Sequence, residues 1–408
     1  MLDFQKFDVA SKEFYKLDAM EKALEALGQP QLGRPTILVT GTNAKGSLCY
    51  YLTALFRLLG WKVGTFVSPH VYERGERIQI DLRSSTEDEL SKWEVDVREI
   101  LEPLSFFERM TALAFLRFRE EKVDVQIVEV GVGGRLDATN LCAPDLSILT
   151  SLSYDHQNLL GDTLLEIAQE KFGIARPGKP FWCAAELPLV VTKGLKIWAK
   201  DLGVELRHCP REFAQMDWES ELRRSFPLVG EHQWRNLRLA ILSFQDWCQR
   251  AQVSTPQFSD QLKALASVSI PGRMELKSYR EKWIIDGGHN EEAIEALSRF
   301  LDQNFEGQSF DALFGCMKDK DWRKLLGPMR GRIRNLYLTS FFPEREMSPI
   351  LLMESLKLSK AGNFDSVEQV LELSKFLKQR KLESRGLLVF GSFYLAGKVL
   401  TELRELEP

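Results

Sequence analysis

Short apolar runs alternate with segments in which apolar residues recur at helical spacing, and this alternation continues along most of the chain. The short runs predict strands over 36–41, 63–68, 123–131, 145–153, 282–287, 310–315, 335–340 and 387–392. The helical periodicity predicts helices over 48–59, 108–121, 162–175, 232–250 and 291–303. Strands that alternate with helices are typical of an α/β protein.

The strand–helix alternation restarts after the segment 271–273, which reads Pro-Gly-Arg. Proline and glycine favour a connection between elements, so we predict two α/β domains with a boundary between residues 270 and 271. A tight turn inside a single domain is the alternative interpretation of this segment.

The charge balance and the cysteine pattern exclude several classes of protein. The 408 residues include 54 Lys and Arg against 58 Asp and Glu, and a nucleic-acid-binding protein would usually show a basic excess. No stretch approaches the ~20 apolar residues of a membrane helix, and the N-terminus lacks the apolar segment of a secretory signal. Six cysteines are scattered without C-x-x-C pairs. We therefore expect reduced thiols in a cytoplasmic protein, not disulfides or a zinc site.

The segment G-T-N-A-K-G-S lies between a predicted strand and a predicted helix, which favours a phosphate-binding loop. Backbone N–H groups at a helix start attract an anion, Lys45 adds a positive charge, and the Ser47 hydroxyl can reach Mg²⁺. The lysine precedes the last glycine, unlike in G-x-x-x-x-G-K-[ST], and an ordinary βα turn is the alternative. The predicted ATP-binding residues of this loop are Gly41, Thr42, Asn43, Ala44, Lys45, Gly46 and Ser47.

Further motifs follow this loop in a consistent order along nearly the whole chain. They are SPHV (68–71), ERIQI (76–80), SFFE (105–108), EVGVGGRLDATN (129–140), DHQNLLGDTLLEIAQEKFGI (155–174), PGR (271–273), DGGHN (286–290), GCMKDKD (315–321) and GSFYLAG (391–397). With these motifs the chain resembles the folylpolyglutamate synthase and dihydrofolate synthase family of the Mur ligase superfamily. The resemblance implies an N-terminal P-loop-type ATPase domain with a mostly parallel sheet (1–270) and a smaller Rossmann-like ligase domain (271–408).

The resemblance also implies an activity, the ATP-dependent joining of a carboxylate to the amino group of L-glutamate. A carboxylate is a poor electrophile, so ATP first converts it into an acyl phosphate, which the amine then attacks. The implied acceptors are the pterin acid dihydropteroate, a reduced folate, or both, and the LDATN stretch favours both. We expect a monomer without a membrane or nucleic-acid partner. A Mur-type peptide ligase and an inactive ATP-binding pseudoenzyme are the alternatives.

Four residues match the metal ligands of the family, which would hold two Mg²⁺ ions. Ser47 and Glu129 match ligands of the ion that bridges the ATP phosphates, Ser68 matches a further ligand, and His156 matches the ligand of a second ion. Each has a simpler interpretation. Glu129 would form an ion pair with Arg135 or a lysine, the Ser68 hydroxyl would cap a turn, and His156 would be structural.

Lys45, His156 and Lys171 are the predicted catalytic residues. Lys171 lies in EKFGI and matches a lysine that is carbamylated in this superfamily, where CO₂ converts the ammonium into an anion near the second metal ion. A carbamate forms only on a neutral amine, so we expect nearby cations to depress the pKa of Lys171. A solvated lysine on a helix is the alternative.

Asn236, Arg273 and Asp286, which we group with the second domain, match family positions that contact ATP. A guanidinium presents a fixed fork of donors that suits a phosphate, and an aspartate at a strand end suits a ribose hydroxyl. His289 lies in the same DGGHN turn and is predicted to face the substrate cleft. A polar βα turn without a ligand is the alternative.

Two segments match family positions that contact the pterin. The aromatic rings of the first segment can stack on a flat pterin, and packing in the core is the alternative for each ring. The predicted substrate-binding residues are Ser105, Phe106, Phe107, Glu108, Leu136, Asp137 and Ala138, together with His289.

The chain departs from the family at three places, one of which is Gly288 in DGGHN, where alanine is usual. Ala44 stands where the family usually has glycine, and if this position needs a positive φ, alanine is strained by about 1 kcal/mol or more. The N-terminal substrate loop of the family is represented only by YKLDAM (15–20).

Overall fold

A computed structural model of the chain describes residues 17–184, 186–210, 231–279, 281–359, 364–379 and 386–406. Contacts divide these residues into two compact units. The first unit contains the described residues up to Pro210 together with Gln233–Val268. The second unit contains the described residues from Ser269 onward together with residues 231 and 232. Each unit is built on its own mostly parallel sheet, so the predicted α/β class is confirmed.

The first unit contains the longer series of elements. Its strands are β1 (Thr36–Thr40), β2 (Val63–Phe66), β3 (Ile78–Ile80), β4 (Arg83–Ser84), β5 (Val125–Glu129), β6 (Leu146–Leu149), β7 (Pro180–Cys183) and β8 (Glu205–His208). Its helices are α1 (Asp18–Ala26), α2 (Lys45–Arg57), α3 (Glu87–Asp96), α4 (Arg98–Leu101), α5 (Phe106–Glu120), α6 (Gln157–Leu160), α7 (Leu164–Phe172), α8 (Leu189–Leu202), α9 (Glu231–Ala251) and α10 (Phe258–Ala266).

The first sheet has the strand order β4-β3-β2-β5-β1-β6-β7-β8 within the described residues. The six strands from β2 to β8 pair in parallel, whereas β3 and β4 add an antiparallel edge. Strands β1, β2, β5, β6 and β7 are buried at every position, as expected for a parallel sheet with helices on both faces. The carboxyl ends of β1, β2, β5 and β6 therefore meet at one edge of this sheet.

Successive residues of β2 show which helices cover the two faces of the sheet. Gly64 lies under the Phe118 ring of α5, where a β-carbon would come within 2.5 Å of the ring. The next residue, Thr65, hydrogen-bonds to Thr53 of α2 over 2.6 Å. Because successive side chains of a strand point to opposite faces, α2 and α5 cover opposite faces of the sheet.

The second unit repeats the alternation on a smaller scale. Its strands are β9 (Glu275–Tyr279), β10 (Glu281–Ile285), β11 (Phe310–Phe314), β12 (Ile333–Thr339), β13 (Ser366–Val370) and β14 (Leu387–Phe390). Its helices are α11 (Glu291–Asn304), α12 (Trp322–Leu326), α13 (Pro349–Ser359), α14 (Leu373–Gln379) and α15 (Phe393–Leu406). The sheet order is β13-β12-β11-β14-β10-β9, with only β9 antiparallel among the described strands.

All eight strands predicted from apolar runs are present. Most are shorter than predicted, whereas β12 is one residue longer. The pattern missed β3, β4, β7, β8, β9 and β13, of which β7, β8 and β13 pair in parallel. The buried strand β7 has only four residues and begins with a proline, whereas β8 and β13 lie at the edges of the two sheets. Three of the four β8 residues are exposed, and β13 buries only Val370. An edge strand needs no continuous apolar run, so periodicity gives little signal for it.

The six cysteines are free thiols, and each is buried. This agrees with the expectation of reduced, structural cysteines. Among the described residues, no helix combines the length and the apolar character that crossing a bilayer requires.

Candidate active site

The phosphate loop begins at the carboxyl end of β1, where Gly41 lies close to Thr150 and Ser151 of the loop after β6. Gly41 has a φ of 152°, and a β-carbon there would lie 1.9 Å from the Thr150 hydroxyl. The loop therefore requires glycine at this position. The loop after β6 supports the next residues, because the Ser151 hydroxyl accepts a hydrogen bond from Asn43 N over 2.8 Å.

The loop enters α2 through Ala44, whose φ of 68° is left-handed. The position thus has the positive φ that was considered from the sequence. Lys45 is the first residue of α2, and its Nζ donates hydrogen bonds to the carbonyl oxygens of Gly41 (3.0 Å) and Thr42 (3.2 Å). The ammonium is consequently held against the loop where a phosphate would bind.

Three of the predicted metal ligands converge at this edge. Glu129 ends β5 and is only 2% exposed, and its Oε2 accepts a hydrogen bond from Ser68 N over 2.7 Å. Ser47 is buried in the first turn of α2. A β-carbon at Gly46 would lie 3.2 Å from the same Glu129 oxygen, so glycine leaves room beside the carboxylate.

This donor set suits Mg²⁺. The ion prefers oxygen ligands and is commonly held by one or two carboxylates together with waters and nucleotide phosphates, not by a cage of protein groups. Within the described ranges, no group of three or more His, Cys, Asp or Glu residues is placed to hold a metal. Arg135, the ion-pair partner considered for Glu129, pairs with Glu170 over 2.9 Å.

Lys171 is buried near the phosphate loop and is not a solvated helix residue. It lies in the last turn of α7, is 3% exposed, and its Nζ donates to the Gly41 carbonyl oxygen over 2.9 Å. Burial, assisted by the nearby Lys45 ammonium, lowers the pKa of Lys171 to about 7, against the opposing effect of Asp155 and Asp137. The expected depression of this pKa is therefore present, with burial as its main cause.

His156 lies in the loop after β6, immediately before α6, and has a left-handed backbone with a φ of 50°. Its side chain is 41% exposed, and its Nε2 lies 3.8 Å from Asp155 Oδ2. The structure therefore places an accessible imidazole in the same loop that supports Asn43. Its role as a metal ligand stays a prediction.

The SFFE segment forms the N-terminus of α5. Ser105 and Glu108 form a capping box, in which Ser105 N donates to Glu108 Oε2 (2.8 Å) and Glu108 N donates to Ser105 Oγ (3.4 Å). The Phe107 ring packs against Gly131 and lies 5.8 Å from the Phe66 ring. The capping box and this packing account for three of the four residues without a substrate.

Asp137 organises its own loop. Its carboxylate accepts hydrogen bonds from Val132 N and Thr139 N, both over 3.0 Å, and it precedes a short 3-10 helix, Ala138–Leu141. Burial raises the pKa of Asp137 against the effect of these hydrogen bonds. Leu136 is partly exposed and Ala138 is buried. Pterin contacts by this segment stay a prediction.

The loop between β2 and β3 contains residues that the sequence reasoning did not single out. Arg77 is 3% exposed, its Nε donates to His70 Nδ1 over 2.9 Å, and its guanidinium lies 5.1 Å from the centre of the Phe106 ring. Burial and the adjacent guanidinium groups of Arg77 and Arg74 lower the pKa of His70 to about 3. The sequence feature that could have indicated these residues is Arg77 in ERIQI, a charged residue that follows a predicted apolar strand.

In the second unit, Asp286 follows β10 and accepts hydrogen bonds from Gly288 N (2.8 Å) and Met274 N (2.9 Å). Burial raises its pKa, and the positive charge of Arg273 opposes this effect. The Arg273 guanidinium lies 3.9 Å from the centre of the Phe393 ring, and the His289 ring contacts the same ring at 5.8 Å. Arg273 and His289 thus share one aromatic ring, and the charge of Arg273 acts on Asp286.

Asn236 belongs to the first unit, which corrects its grouping with the second domain. It lies on α9, is 4% exposed, and donates to Gln233 Oε1 over 3.3 Å. Tyr51 of α2 donates to the same oxygen. Aromatic contacts between Phe56 of α2 and Phe244 and Trp247 of α9 tie this helix to the first unit.

Comparisons with known proteins agree with these features. A family model described as the Mur ligase glutamate ligase domain matches residues 272–393. The chain is 31% identical to a folylpolyglutamate synthase of Lacticaseibacillus casei, over 92% of this chain and 91% of the relative. It is 29% identical to a dihydrofolate synthase/folylpolyglutamate synthase of Bacillus subtilis (strain 168), over 95% of each chain.

The fold is similar to that of a bifunctional folylpolyglutamate synthase/dihydrofolate synthase from Yersinia pestis c092, whose crystal structure contains AMPPNP and a Mn ion. The TM-score is 0.78 at 25% identity, covering 98% of this chain and 95% of that chain. The chain therefore belongs to the folylpolyglutamate synthase and dihydrofolate synthase family of Mur ligases.

Proposed function

We propose that this chain is an ATP-dependent ligase that adds L-glutamate to the carboxylate of dihydropteroate and of reduced folates through an acyl phosphate. The observation that carries the proposal is the buried Glu129 carboxylate, held by Ser68 N beside the first turn of α2. A buried carboxylate has a desolvation cost that a cation can offset. The AMPPNP and Mn ion of the Yersinia relative support a nucleotide with a divalent cation.

In this proposal, Glu129, Ser47 and Ser68 hold Mg²⁺, which supplies positive charge to the phosphates. The backbone N–H groups at the start of α2 attract the same phosphates, and Lys45 adds an ammonium. Phosphoryl transfer depends mainly on positioning and charge neutralisation, which these groups provide. Arg273 and Asp286 are proposed as further nucleotide contacts, and their alanine variants are expected to raise the KM for ATP.

We also propose that Lys171 carries a carbamate and that it acts with His156 at a second Mg²⁺ ion. The buried position of Lys171 and its pKa of about 7 support this proposal, because a large share of the amine is neutral at neutral pH. An unmodified ammonium would bring a positive charge toward the metal, whereas a carbamate brings an anion.

The acceptor range is tested with purified protein, Mg·ATP and L-glutamate, and with dihydropteroate or tetrahydrofolate as the acceptor. We expect ADP release that depends on glutamate with both acceptors, and a product heavier by one glutamate residue in mass spectrometry. Turnover with only one of the two acceptors would restrict the proposed activity to that acceptor. Nucleotide binding without turnover on either acceptor would favour the inactive pseudoenzyme.

The phosphate-loop assignment predicts that Lys45→Ala lowers kcat on the order of 100-fold, because it removes a charge that stabilises the transferred phosphoryl group. Circular dichroism and the melting temperature should stay close to those of the wild type, since the Lys45 side chain does not pack in the core. Lys193→Ala removes an exposed lysine of α8 and is the matched control. Wild-type ADP release by Lys45→Ala would contradict the assignment.

A further inference from the structure

Hydroxyl groups in the loop after β6 fasten the phosphate loop. The Thr150 hydroxyl donates to the Asn43 carbonyl oxygen over 2.6 Å, and the Ser151 hydroxyl accepts from Asn43 N over 2.8 Å. The hydroxyl groups of Thr150 and Ser151 therefore have partners in the phosphate loop.

Ser153 lies in the same loop, but its backbone groups and not its hydroxyl bond to the phosphate loop. Its backbone is fixed, because Ser153 N donates to Thr42 Oγ1 (3.0 Å) and Thr42 Oγ1 donates to the Ser153 carbonyl oxygen (3.2 Å). Its own hydroxyl oxygen is closed off from solvent, yet no described residue is a hydrogen-bond partner for it. Buried hydroxyls in folded proteins are normally hydrogen-bonded. The Ser153 hydroxyl is therefore available to a partner that is not among the described side chains.

Lys171 is attached to the neighbouring residue of the phosphate loop. Its buried Nζ donates to the Gly41 carbonyl oxygen over 2.9 Å, while Ser153 is bonded to Thr42. Asp155, two residues after Ser153, acts electrostatically on the Lys171 ammonium. The unpartnered hydroxyl and the buried amine are thus fixed to consecutive residues of one loop.

We propose that the Ser153 hydroxyl donates a hydrogen bond to a carbamate on Lys171 and thereby sets the concentration of dissolved CO₂ that the enzyme needs. The proposal rests on the carbamylation of Lys171 proposed above. In that step the lone pair of the neutral Nζ attacks the carbon of CO₂. An N–C bond forms, one C=O electron pair moves to oxygen, and an Nζ proton leaves to water. The resulting anion needs hydrogen-bond donors, and Ser153 supplies one.

The test compares wild type, Ser153→Ala and Lys171→Ala over a series of ¹³C-bicarbonate concentrations. Carbamate is followed by ¹³C NMR and protein stability by thermal unfolding. Bicarbonate should raise the melting temperature of the wild type, since a group that adds only to the native state stabilises it. Ser153→Ala should need about tenfold more bicarbonate for half occupancy, the effect of one hydrogen bond to a charged group. Without CO₂, Ser153→Ala should be at least as stable as the wild type.

Ser151→Ala is the matched control, because it removes a hydroxyl from the same loop whose partner is the phosphate loop. It should raise the KM for ATP and leave the bicarbonate midpoint unchanged. Equal midpoints for wild type and Ser153→Ala would overturn the role of Ser153. Absence of a Lys171-dependent ¹³C signal in the wild type would overturn both this role and the carbamate, while glutamate-dependent ADP release would still test the ligase reaction.

Discussion

At the scale of single residues, Ala44 carries a β-carbon in a backbone conformation that favours glycine. Its φ of 68° turns the chain from the phosphate loop into α2 and directs the Lys45 ammonium back onto the loop carbonyl groups. A left-handed conformation costs a non-glycine residue roughly 1–2 kcal/mol. Strain of this kind at a functional loop is maintained by the surrounding contacts, here the hydrogen bonds from residues 150–153.

Ala44→Gly is therefore expected to stabilise the protein by about 0.5–1 kcal/mol, which is the strain removed less the added freedom of the unfolded chain. Urea unfolding measures the change. Ala264→Gly, within the right-handed helix α10, is the matched control and should destabilise by about 1 kcal/mol. A loss of stability in both variants would show that Ala44 is not strained.

The pKa of Lys171 predicts a dependence of stability on pH. The pKa is about 7 in the folded protein and near 10.5 when the lysine is exposed, so the unfolded chain binds more protons between these values. Stability should then rise with pH from about 7 to 10.5, on the order of 4 kcal/mol in total relative to Lys171→Met. Urea unfolding of both proteins in CO₂-free buffers at several pH values measures this difference. A constant difference would mean that the lysine stays charged when folded.

At the scale of elements, capping boxes fix the starts of several helices around the site. Helices α3, α5 and α7 each begin with the sequence pattern [ST]-x-x-E. The capping boxes are formed by Thr86 and Glu89 in α3, Ser105 and Glu108 in α5, and Thr163 and Glu166 in α7. The last of these helices, α7, carries Lys171. The cap at its N-terminus therefore helps to fix the direction of the helix from which Lys171 Nζ donates to the Gly41 carbonyl oxygen.

The cap on α5 gives a prediction that separates two roles of Ser105. If Ser105 only caps the helix, Ser105→Ala should cost about 1 kcal/mol of stability, and Ser105→Asp, which preserves a cap, should cost little. The KM for the pterin acceptor should then be unchanged in the Asp variant. A raised KM in Ser105→Asp at wild-type stability would instead support the predicted substrate contact. Thr163→Ala and Thr163→Asp form the matched pair on α7.

At the scale of the whole molecule, the features that could be predicted from the sequence were those that follow a repeating pattern of residues. Buried parallel strands such as β1 and β5 are continuous apolar runs, and the phosphate loop follows a strand and precedes a helix. The burial of Lys171 could not be derived from periodicity, because a lysine on an amphipathic helix usually faces solvent. Ser105 and Glu108 are predicted substrate contacts, and their spacing is also that of the capping box found in the structure. Ser153 became noticeable only when the hydrogen bonds of its neighbours were known.

The six buried thiols have a practical consequence for spectroscopy. Burial raises the pKa of Cys142, Cys183 and Cys316 to about 12, so these sulfurs are almost entirely protonated and slow to alkylate near neutral pH. Maleimide should therefore leave the native protein largely unmodified. A cysteine introduced by Tyr154→Cys, at a side chain 56% exposed beside the phosphate loop, would then accept a fluorophore selectively. The natural chain is thus suited to attachment of a single dye that reports nucleotide arrival in real time, without removal of any native sulfur.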